Sequence, residues 1–137
     1  MNNNNNTVVI LCGGRGTRLA SLGKKIPKTL VKIQGRPILW YILNILKKKN
    51  FNHFILPTGY KGEMIKRYLK KNKNLNKDCK IDIVSTGMNS LIAKRLFKIK
   101  DYIKSNNFIL LNGDAIFNFD LFDIFNKHIK KKKKEIF

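Results

Sequence analysis

The sequence contains few of the residues that build metal centres, disulfide frameworks or membrane spans. It has 2 cysteines and 2 histidines. Cys12 and Cys79 share no C-x-x-C spacing, and no histidine lies near either of them in the chain, so no zinc site is predicted. No apolar run approaches the roughly 20 residues that cross a bilayer, which predicts no membrane partner. We therefore expect a protein of the reducing cytoplasm, in which His53 and His128 are structural residues.

Acidic residues are also scarce, with 8 Asp and Glu against 29 Lys and Arg and a formal net charge of +21. Such an excess ordinarily indicates a nucleic-acid or anionic-membrane partner. Only five of these basic residues are arginines, although nucleic-acid binders often need arginine for bidentate contacts. Lys, Asn, Ile and Phe are abundant throughout, as in proteins encoded by AT-rich genes. We therefore predict no nucleic-acid partner and keep a basic nucleic-acid-binding protein as a third alternative.

The length of 137 residues suits one domain with a hydrophobic core, but not comfortably two. We expect a disordered Asn-rich lead-in over 1–6, a folded domain over 7–129 and a Lys-rich tail over 130–137. Within the domain, β-rich runs alternate with segments of helical period: strands at 7–12, 53–57, 81–85 and 108–112, and helices at 37–46, 62–71, 94–105 and 120–129. This alternation predicts an α/β fold, namely a Rossmann-like, open and mainly parallel sheet with helices on both faces. Trp40 is expected in the core.

A glycine-rich turn, Gly13-Gly14-Arg15-Gly16-Thr17-Arg18-Leu19, directly follows the first predicted strand. Glycines allow the backbone to approach a ligand closely, and arginines offer planar, charged forks to phosphate oxygens. Lys28 follows in Pro27-Lys28, where the proline stiffens the backbone beside the ammonium group. The segment is therefore interpreted as a phosphate-binding loop, the alternative being a plain turn with solvated arginines.

Two well-known phosphate loops do not match this turn. The dinucleotide fingerprint G-x-G-x-x-G, counted from Gly14, requires a glycine where Leu19 stands. The Walker A pattern ending at Gly23-Lys24 requires a glycine where Arg18 stands. The loop therefore predicts neither a hydride-transfer enzyme nor a P-loop ATPase.

Asp114 follows the last predicted strand and is preceded by Gly113. In an open parallel sheet, ligands gather beyond the carboxyl ends of the strands, where this carboxylate would share a crevice with the glycine-rich turn. A carboxylate there is a good ligand for Mg²⁺, although Asp114 could also be a simple turn residue. Asp120 and Asp123 are better explained by a helix start, with Asp120 as the N-cap.

The pattern G-G-x-G-T-R-L followed by P-K resembles the signature of the sugar-phosphate nucleotidyltransferases, which have a nucleotide-diphospho-sugar transferase fold. Three further segments, Gly35–Trp40, Gly59–Gly62 and Thr86-Gly87 with Arg95-Leu96, are similar to glucose-1-phosphate cytidylyltransferases, and the similarity runs from about 7 to 122. The resemblance implies transfer of CMP from CTP to a sugar 1-phosphate, releasing pyrophosphate, in the service of cell-surface polysaccharide synthesis.

The same resemblance implies the residues of the site. Asp114 would be one of two aspartates that hold Mg²⁺. Arg18, with help from Arg15, would bind the β and γ phosphates, and Lys28 the α-phosphoryl group, so that Arg18, Lys28 and Asp114 form the catalytic set. The full set of implied nucleotide contacts is Leu11, Cys12, Gly13, Gly14, Arg15, Gly16, Thr17, Arg18, Lys28, Ser90, Arg95 and Gly113.

The chain also departs from the family pattern. Family members run well past this length, and their downstream half supplies the second metal aspartate and most sugar contacts, so this chain is expected to be the N-terminal portion. Where cytidylyltransferases show T-G-G-R-L, it has Ile92-Ala93-Lys94-Arg95-Leu96. The alternative interpretation is a truncated, non-catalytic nucleotide-binding domain or a split subunit, and the expected protein partner is a second copy or a complementing C-terminal half.

Overall fold

The computed structural model of the chain describes residues 6–14 and 25–132. The strands are β1 (Thr7–Leu11), β2 (Lys32–Ile33), β3 (Arg36–Pro37), β4 (His53–Thr58), β5 (Lys80–Ser85) and β6 (Phe108–Asn112). The helices are α1 (Ile38–Lys48), α2 (Gly62–Lys71), α3 (Lys73–Asn76), α4 (Ile92–Ile99) and α5 (Leu121–Lys132), with 3-10 turns at Lys28–Leu30 and Lys100–Tyr102. Among these residues we find no helix with the length and apolar character needed to cross a membrane.

Four strands form a parallel sheet in the order β5-β4-β1-β6. The central strand β1 is apolar and almost wholly buried, as expected of a parallel strand covered on both faces. The chain passes from β1 to β4 and β5 on one side and then returns to β6 on the other. The strand order therefore reverses between β1 and β6, which is where open α/β sheets place their ligand crevice.

Helices cover both faces of this sheet, which confirms the predicted fold class. On one face, α1, α2 and α5 pack against the larger core cluster, which includes Val8, Ile10 and Phe54. On the other face, Ile99 of α4 packs against Val9 and Ile55. The alternation of neighbouring β1 residues between the two clusters follows from the twofold repeat of side chains along a strand.

Strand β6 has a less complete covering than its neighbours. Leu110 pairs in register with Val9 of β1, yet 42% of Leu110 is exposed whereas Val9 is fully buried. Phe108, two residues earlier on the same face, is 39% exposed. Since β6 also lies at one edge of the four-stranded sheet, both its outer edge and part of one face are uncovered among the described residues.

Several elements differ from the sequence-based prediction. The β2–β3 hairpin was not predicted, because its strands have two residues each and carry no periodic signal. Its turn is formed by Gln34 and Gly35, both at positive φ, as a type I′ hairpin turn requires. The predicted helix over 94–105 is instead α4 followed by the 3-10 turn at Lys100–Tyr102. Trp40 is only partly buried, at the edge of the larger cluster.

The start of α5 follows the prediction. Asp120 Oδ1 accepts hydrogen bonds from the backbone N–H groups of Phe122 at 3.1 Å and Asp123 at 3.2 Å. These bonds satisfy donors that have no partner within the helix, so Asp120 is an N-cap. The helix then continues through Lys132, into the lysine-rich segment.

Candidate functional site

A cleft of about 450 Å³ opens at the carboxyl ends of β1 and β6, where the strand order reverses. Every predicted nucleotide contact that the structure describes lines this cleft, together with Asp114: Leu11, Cys12, Gly13, Gly14, Lys28, Ser90, Arg95 and Gly113. The remaining predicted contacts, Arg15, Gly16, Thr17 and Arg18, lie outside the described residues. Four further residues line the cleft and were not among the predicted nucleotide contacts, namely Thr29, Leu91, Ile92 and Asn112.

Lys28 and Asp114 face each other across the cleft. Lys28 Nζ lies 2.7 Å from Asp114 Oδ2, although 86 residues separate the two in the sequence. Lys28 begins a 3-10 turn that Pro27 precedes in extended conformation, and Asp114 follows the end of β6. Their side chains are 31% and 39% exposed. An ion pair with this much solvent contact is worth only about 0–1 kcal/mol, so a bound anion or cation can replace it at low cost.

Gly113 brings the two walls of the cleft together. Its N–H donates to the carbonyl oxygen of Leu11 at 3.0 Å, which joins the end of β6 to the end of β1. A Cβ at position 113 would lie 2.6 Å from that same oxygen and 2.5 Å from Thr29 Cγ2. The close approach that places Asp114 opposite Lys28 therefore depends on the absence of a side chain at Gly113.

The guanidinium group of Arg95 is buried beneath the cleft and fixes three chain segments. It donates to Gly13 O at 3.1 Å, to Thr58 O at 3.2 Å and to Thr86 Oγ1 at 2.6 Å. The fit is close, because a Cβ at Gly13 would collide with the guanidinium and one at Gly59 would lie 2.7 Å from Nη1. Arg95 therefore holds the ends of β1, β4 and β5 in place.

The charge of Arg95 has no acidic partner among the described residues, since its hydrogen-bond acceptors are neutral oxygens. Burial lowers its pKa from the ordinary value, but an arginine remains charged at neutral pH. With only 6% of the residue exposed, little water screens this charge. The floor of the cleft therefore favours an anion.

Other polar groups around the cleft are held by local bonds. Ser90 Oγ donates to Thr86 O at 2.5 Å, and Lys98 Nζ donates to the same carbonyl at 2.8 Å. Burial raises the pKa of the Cys12 thiol to about 12, so Cys12 is a neutral lining residue rather than a thiolate. Thr29 Oγ1 is buried and has no hydrogen-bond partner in the described part of the chain, which leaves one hydroxyl beside Lys28 unsatisfied.

Asp114 is the one acidic residue that lines the cleft in the described ranges, and no cluster of three or more His, Cys, Asp or Glu residues occurs within them. A single carboxylate does not form a cage for a metal ion. It does fit Mg²⁺, which is commonly held by one or two carboxylates together with water and substrate phosphates. The residues present therefore suit a magnesium ion that shares its ligands with a bound phosphate.

Comparison with known proteins identifies the family of this site. The family model described as Nucleotidyl transferase matches residues 7–137. The chain belongs to the nucleotidyl transferase family. This match includes both the loop after β1 and the Lys28–Asp114 pair, so the cleft lies within the matched region.

Individual relatives of this nucleotidyl transferase chain act on different nucleotides. A probable glucose-1-phosphate cytidylyltransferase of Bacillus subtilis is 40% identical over 141 residues, covering 90% of this chain and 56% of the relative. A D-glycero-alpha-D-manno-heptose 1-phosphate guanylyltransferase of Aneurinibacillus thermoaerophilus is 34% identical, covering 90% of this chain and 53% of the relative. The chain thus spans about half the length of these two curated relatives.

A solved structure shares the fold of this chain. HddC from Yersinia pseudotuberculosis, in complex with GMP-PN, superimposes with a TM-score of 0.74 at 30% identity, covering 92% of this chain and 53% of that one. The parallel sheet with its crevice between β1 and β6 therefore has the fold of that structure.

Proposed function

We propose that this chain carries the nucleotide-binding portion of a sugar-1-phosphate nucleotidyltransferase, which transfers CMP from CTP to glucose 1-phosphate. The observation that carries the proposal is the Lys28–Asp114 pair, which spans the cleft at 2.7 Å above a buried guanidinium. The Lys28 ammonium group can bind a phosphate, and the Asp114 carboxylate can bind a cation that accompanies the phosphate, and both groups lie in one crevice.

The proposed reaction needs no covalent enzyme intermediate. A phosphate oxygen of the sugar 1-phosphate attacks the α-phosphorus of CTP and forms the new P–O bond. The bond from that phosphorus to the oxygen bridging the α and β phosphates breaks, and pyrophosphate leaves with the electron pair. Both reactants are anions, so the protein must align them and offset their repulsion.

The residues of the cleft divide this work. Lys28 exchanges Asp114 for the α-phosphoryl group, on which negative charge concentrates during the transfer. Gly13 and Gly14 line the cleft, where their backbone amides would face the phosphates, and Arg95 would supply a buried positive charge beneath them. Arg15 and Arg18 remain the predicted partners of the β and γ phosphates.

Asp114, released from Lys28, is the residue that would hold Mg²⁺. The ion would supply charge neutralisation at phosphate oxygens. Among the described residues, Lys28 is the side-chain partner of Asp114, so the Asp114 carboxylate can bind a cation once Lys28 moves.

CTP is proposed over GTP because the cytidylyltransferase of Bacillus subtilis is the more similar relative, at 40% against 34% identity. The chain spans about half of either relative, so we further propose that contacts to the sugar come from polypeptide outside these 137 residues. Without that contribution, the cleft would bind nucleotide and not turn it over, which is the second candidate function.

Calorimetric titration of the chain with CTP, GTP, UTP, ATP and dTTP, each with Mg²⁺, tests the proposal. Lys28→Ala is expected to weaken CTP binding about 10- to 100-fold, because it removes a charge-assisted phosphate contact. Lys104→Ala removes the same charge from an exposed site outside the cleft and serves as the control. Equal affinities of the two variants for CTP would refute the role of Lys28.

Pyrophosphate release, assayed with glucose 1-phosphate, separates the two candidate functions. Release that disappears in Lys28→Ala supports the transferase, while CTP binding without release supports the binding domain. Binding that falls steeply with salt and does not distinguish CTP from DNA would instead favour the nucleic-acid alternative.

A further inference from the structure

A second cleft, of about 520 Å³, lies between α1 and the junction of α2 with α3. One wall carries Arg36, Trp40 and Asn44, and the opposite wall runs from Lys71 to Leu75. It shares no residue with the cleft at the ends of β1 and β6. Its volume is within the range of small-molecule sites, about 300–1,000 Å³.

The charge of this second cleft has one sign. Arg36, Lys71 and Lys73 all line it, and no Asp or Glu does. None of these three cations takes part in an ion pair within the described ranges. All three are also exposed, so a ligand entering from solvent can reach them.

The position of Arg36 is restrained by its neighbours. Its guanidinium carbon lies over the Trp40 ring, 4.4 Å from the ring centre, which is within the range of a cation–π contact. Its backbone belongs to β3, paired with Ile33 of β2, and Tyr41 Oη donates to Ile33 O at 2.9 Å. A guanidinium presents a planar fork of N–H donors, which can bind a phosphate through two hydrogen bonds while the cation–π contact restrains the group.

The opposite wall is braced as well. Lys47 Nζ donates to the carbonyl oxygens of Asn74 at 3.2 Å and Leu75 at 3.3 Å, tying α3 to α1. Asn72 Nδ2 donates to Tyr68 O at 2.8 Å at the end of α2. The backbone that carries Lys71 and Lys73 is therefore fixed relative to Arg36, and less ordering is needed when a ligand binds.

We propose that this second cleft is a binding site for a small phosphorylated anion, with Arg36 as the bidentate contact and Lys71 and Lys73 as supporting charges. A phosphate group suits the site better than a carboxylate, because three cations line it and a phosphate carries more charge and more acceptor oxygens. The site is separate from the proposed transferase reaction and does not depend on it.

The single tryptophan of the chain is Trp40, so its fluorescence reports on this cleft directly. The chain is titrated with inorganic pyrophosphate at physiological salt, without metal, and followed by fluorescence and by calorimetry. Lys28→Ala is used as the background, so that binding at the first cleft is weakened. A saturable change with one equivalent bound is expected.

Three variants test the assignment. Arg36→Ala and Lys71→Ala/Lys73→Ala are each expected to weaken pyrophosphate binding about tenfold or more by calorimetry, because each removes charge-assisted contacts. Arg36→Lys keeps the charge and loses the planar fork, so it is expected to bind more weakly than the parent even if Arg36→Ala does not fold.

The control is Lys94→Ala/Lys104→Ala, which removes two exposed lysines outside the second cleft. It is expected to change the affinity less than twofold. A non-saturable titration, or an equal loss in the control and in Lys71→Ala/Lys73→Ala, would overturn the proposal, since general attraction to a chain of +21 charge would then explain the binding. Binding of RNA oligonucleotides but not of pyrophosphate would overturn it as well.

Discussion

Gly113 offers a sharp test of the link between close packing and the candidate site. A Cβ at this position would lie 2.5 Å from Thr29 Cγ2 and 2.6 Å from Leu11 O, against the roughly 3.5–4.0 Å of a favourable contact. The oxygen is backbone and already accepts the Gly113 N–H at 3.0 Å, so the clash cannot be relieved by a rotamer change. Gly113→Ala must therefore separate the ends of β1 and β6.

Overpacking of this kind costs about 1–3 kcal/mol of unfolding free energy, and loss of the strand-end hydrogen bond adds about 1 kcal/mol. Gly14→Ala is the matched control, since it adds the same methyl group in the same cleft with nothing within 4 Å. Its stability is expected to change by less than about 0.5 kcal/mol.

Urea unfolding followed by Trp40 fluorescence measures both variants. The expected result is a lower midpoint for Gly113→Ala at unchanged slope, and a midpoint near the parent value for Gly14→Ala. If Gly113→Ala unfolds at the same urea concentration as Gly14→Ala, the described contact between the two strand ends is wrong. The placement of Asp114 opposite Lys28 would then lose its structural basis.

Three further predictions concern polar groups that are buried or partly buried. Arg95→Lys keeps the charge but cannot form the three hydrogen bonds that Arg95 makes to three different segments, so the free energy of unfolding should fall by about 2–3 kcal/mol. An unchanged urea midpoint would contradict this prediction. Burial would raise the pKa of Asp82, but hydrogen bonds from His53 and Lys80 outweigh it and leave that pKa below its ordinary value. The ionised Asp82 carboxylate therefore stabilises the fold fully above the unfolded-state pKa of about 3.9, and this stabilisation is lost as pH falls through the pKa of the folded state. The parent should consequently lose more unfolding free energy than Asp82→Asn between pH 7 and about 3. Equal losses in the two proteins would contradict this prediction. Because burial raises the pKa of Cys12 to about 12, iodoacetamide at pH 8 should label it only after unfolding, and mass-spectrometric detection of label on the native chain would disprove this.

The central strands and longest helices were predictable because their signals are local and strong. The apolar side chains of β1 can be buried together if the segment is a strand covered on both faces, and those of α2 if the segment is a helix with one buried face. The β2–β3 hairpin could not be found this way, since two-residue strands have no period and Gln34 is not a residue that normally marks positive φ.

The site was predictable in its location rather than its contacts. The rule that ligands gather at the ends of parallel strands was enough to place Asp114 in the same crevice as the loop after β1. It could not predict that Lys28 would lie 2.7 Å from that carboxylate, because the distance depends on Gly113 and Thr29 packing together. The burial of Arg95 could not be predicted from the sequence either, because an arginine at the start of a helix is usually exposed to solvent.

The uncovered edge of β6 has a consequence for the behaviour of the chain in solution. Within residues 6–14 and 25–132, Phe108 and Leu110 leave an apolar stripe beside backbone groups that no strand pairs with, and such an edge is a template on which another strand can add. Mutual repulsion between molecules of +21 charge opposes that addition in dilute buffer. Added salt screens this repulsion but does not change the apolar stripe. The chain should therefore become more prone to assemble as ionic strength rises, whereas assemblies held together by ion pairs become weaker.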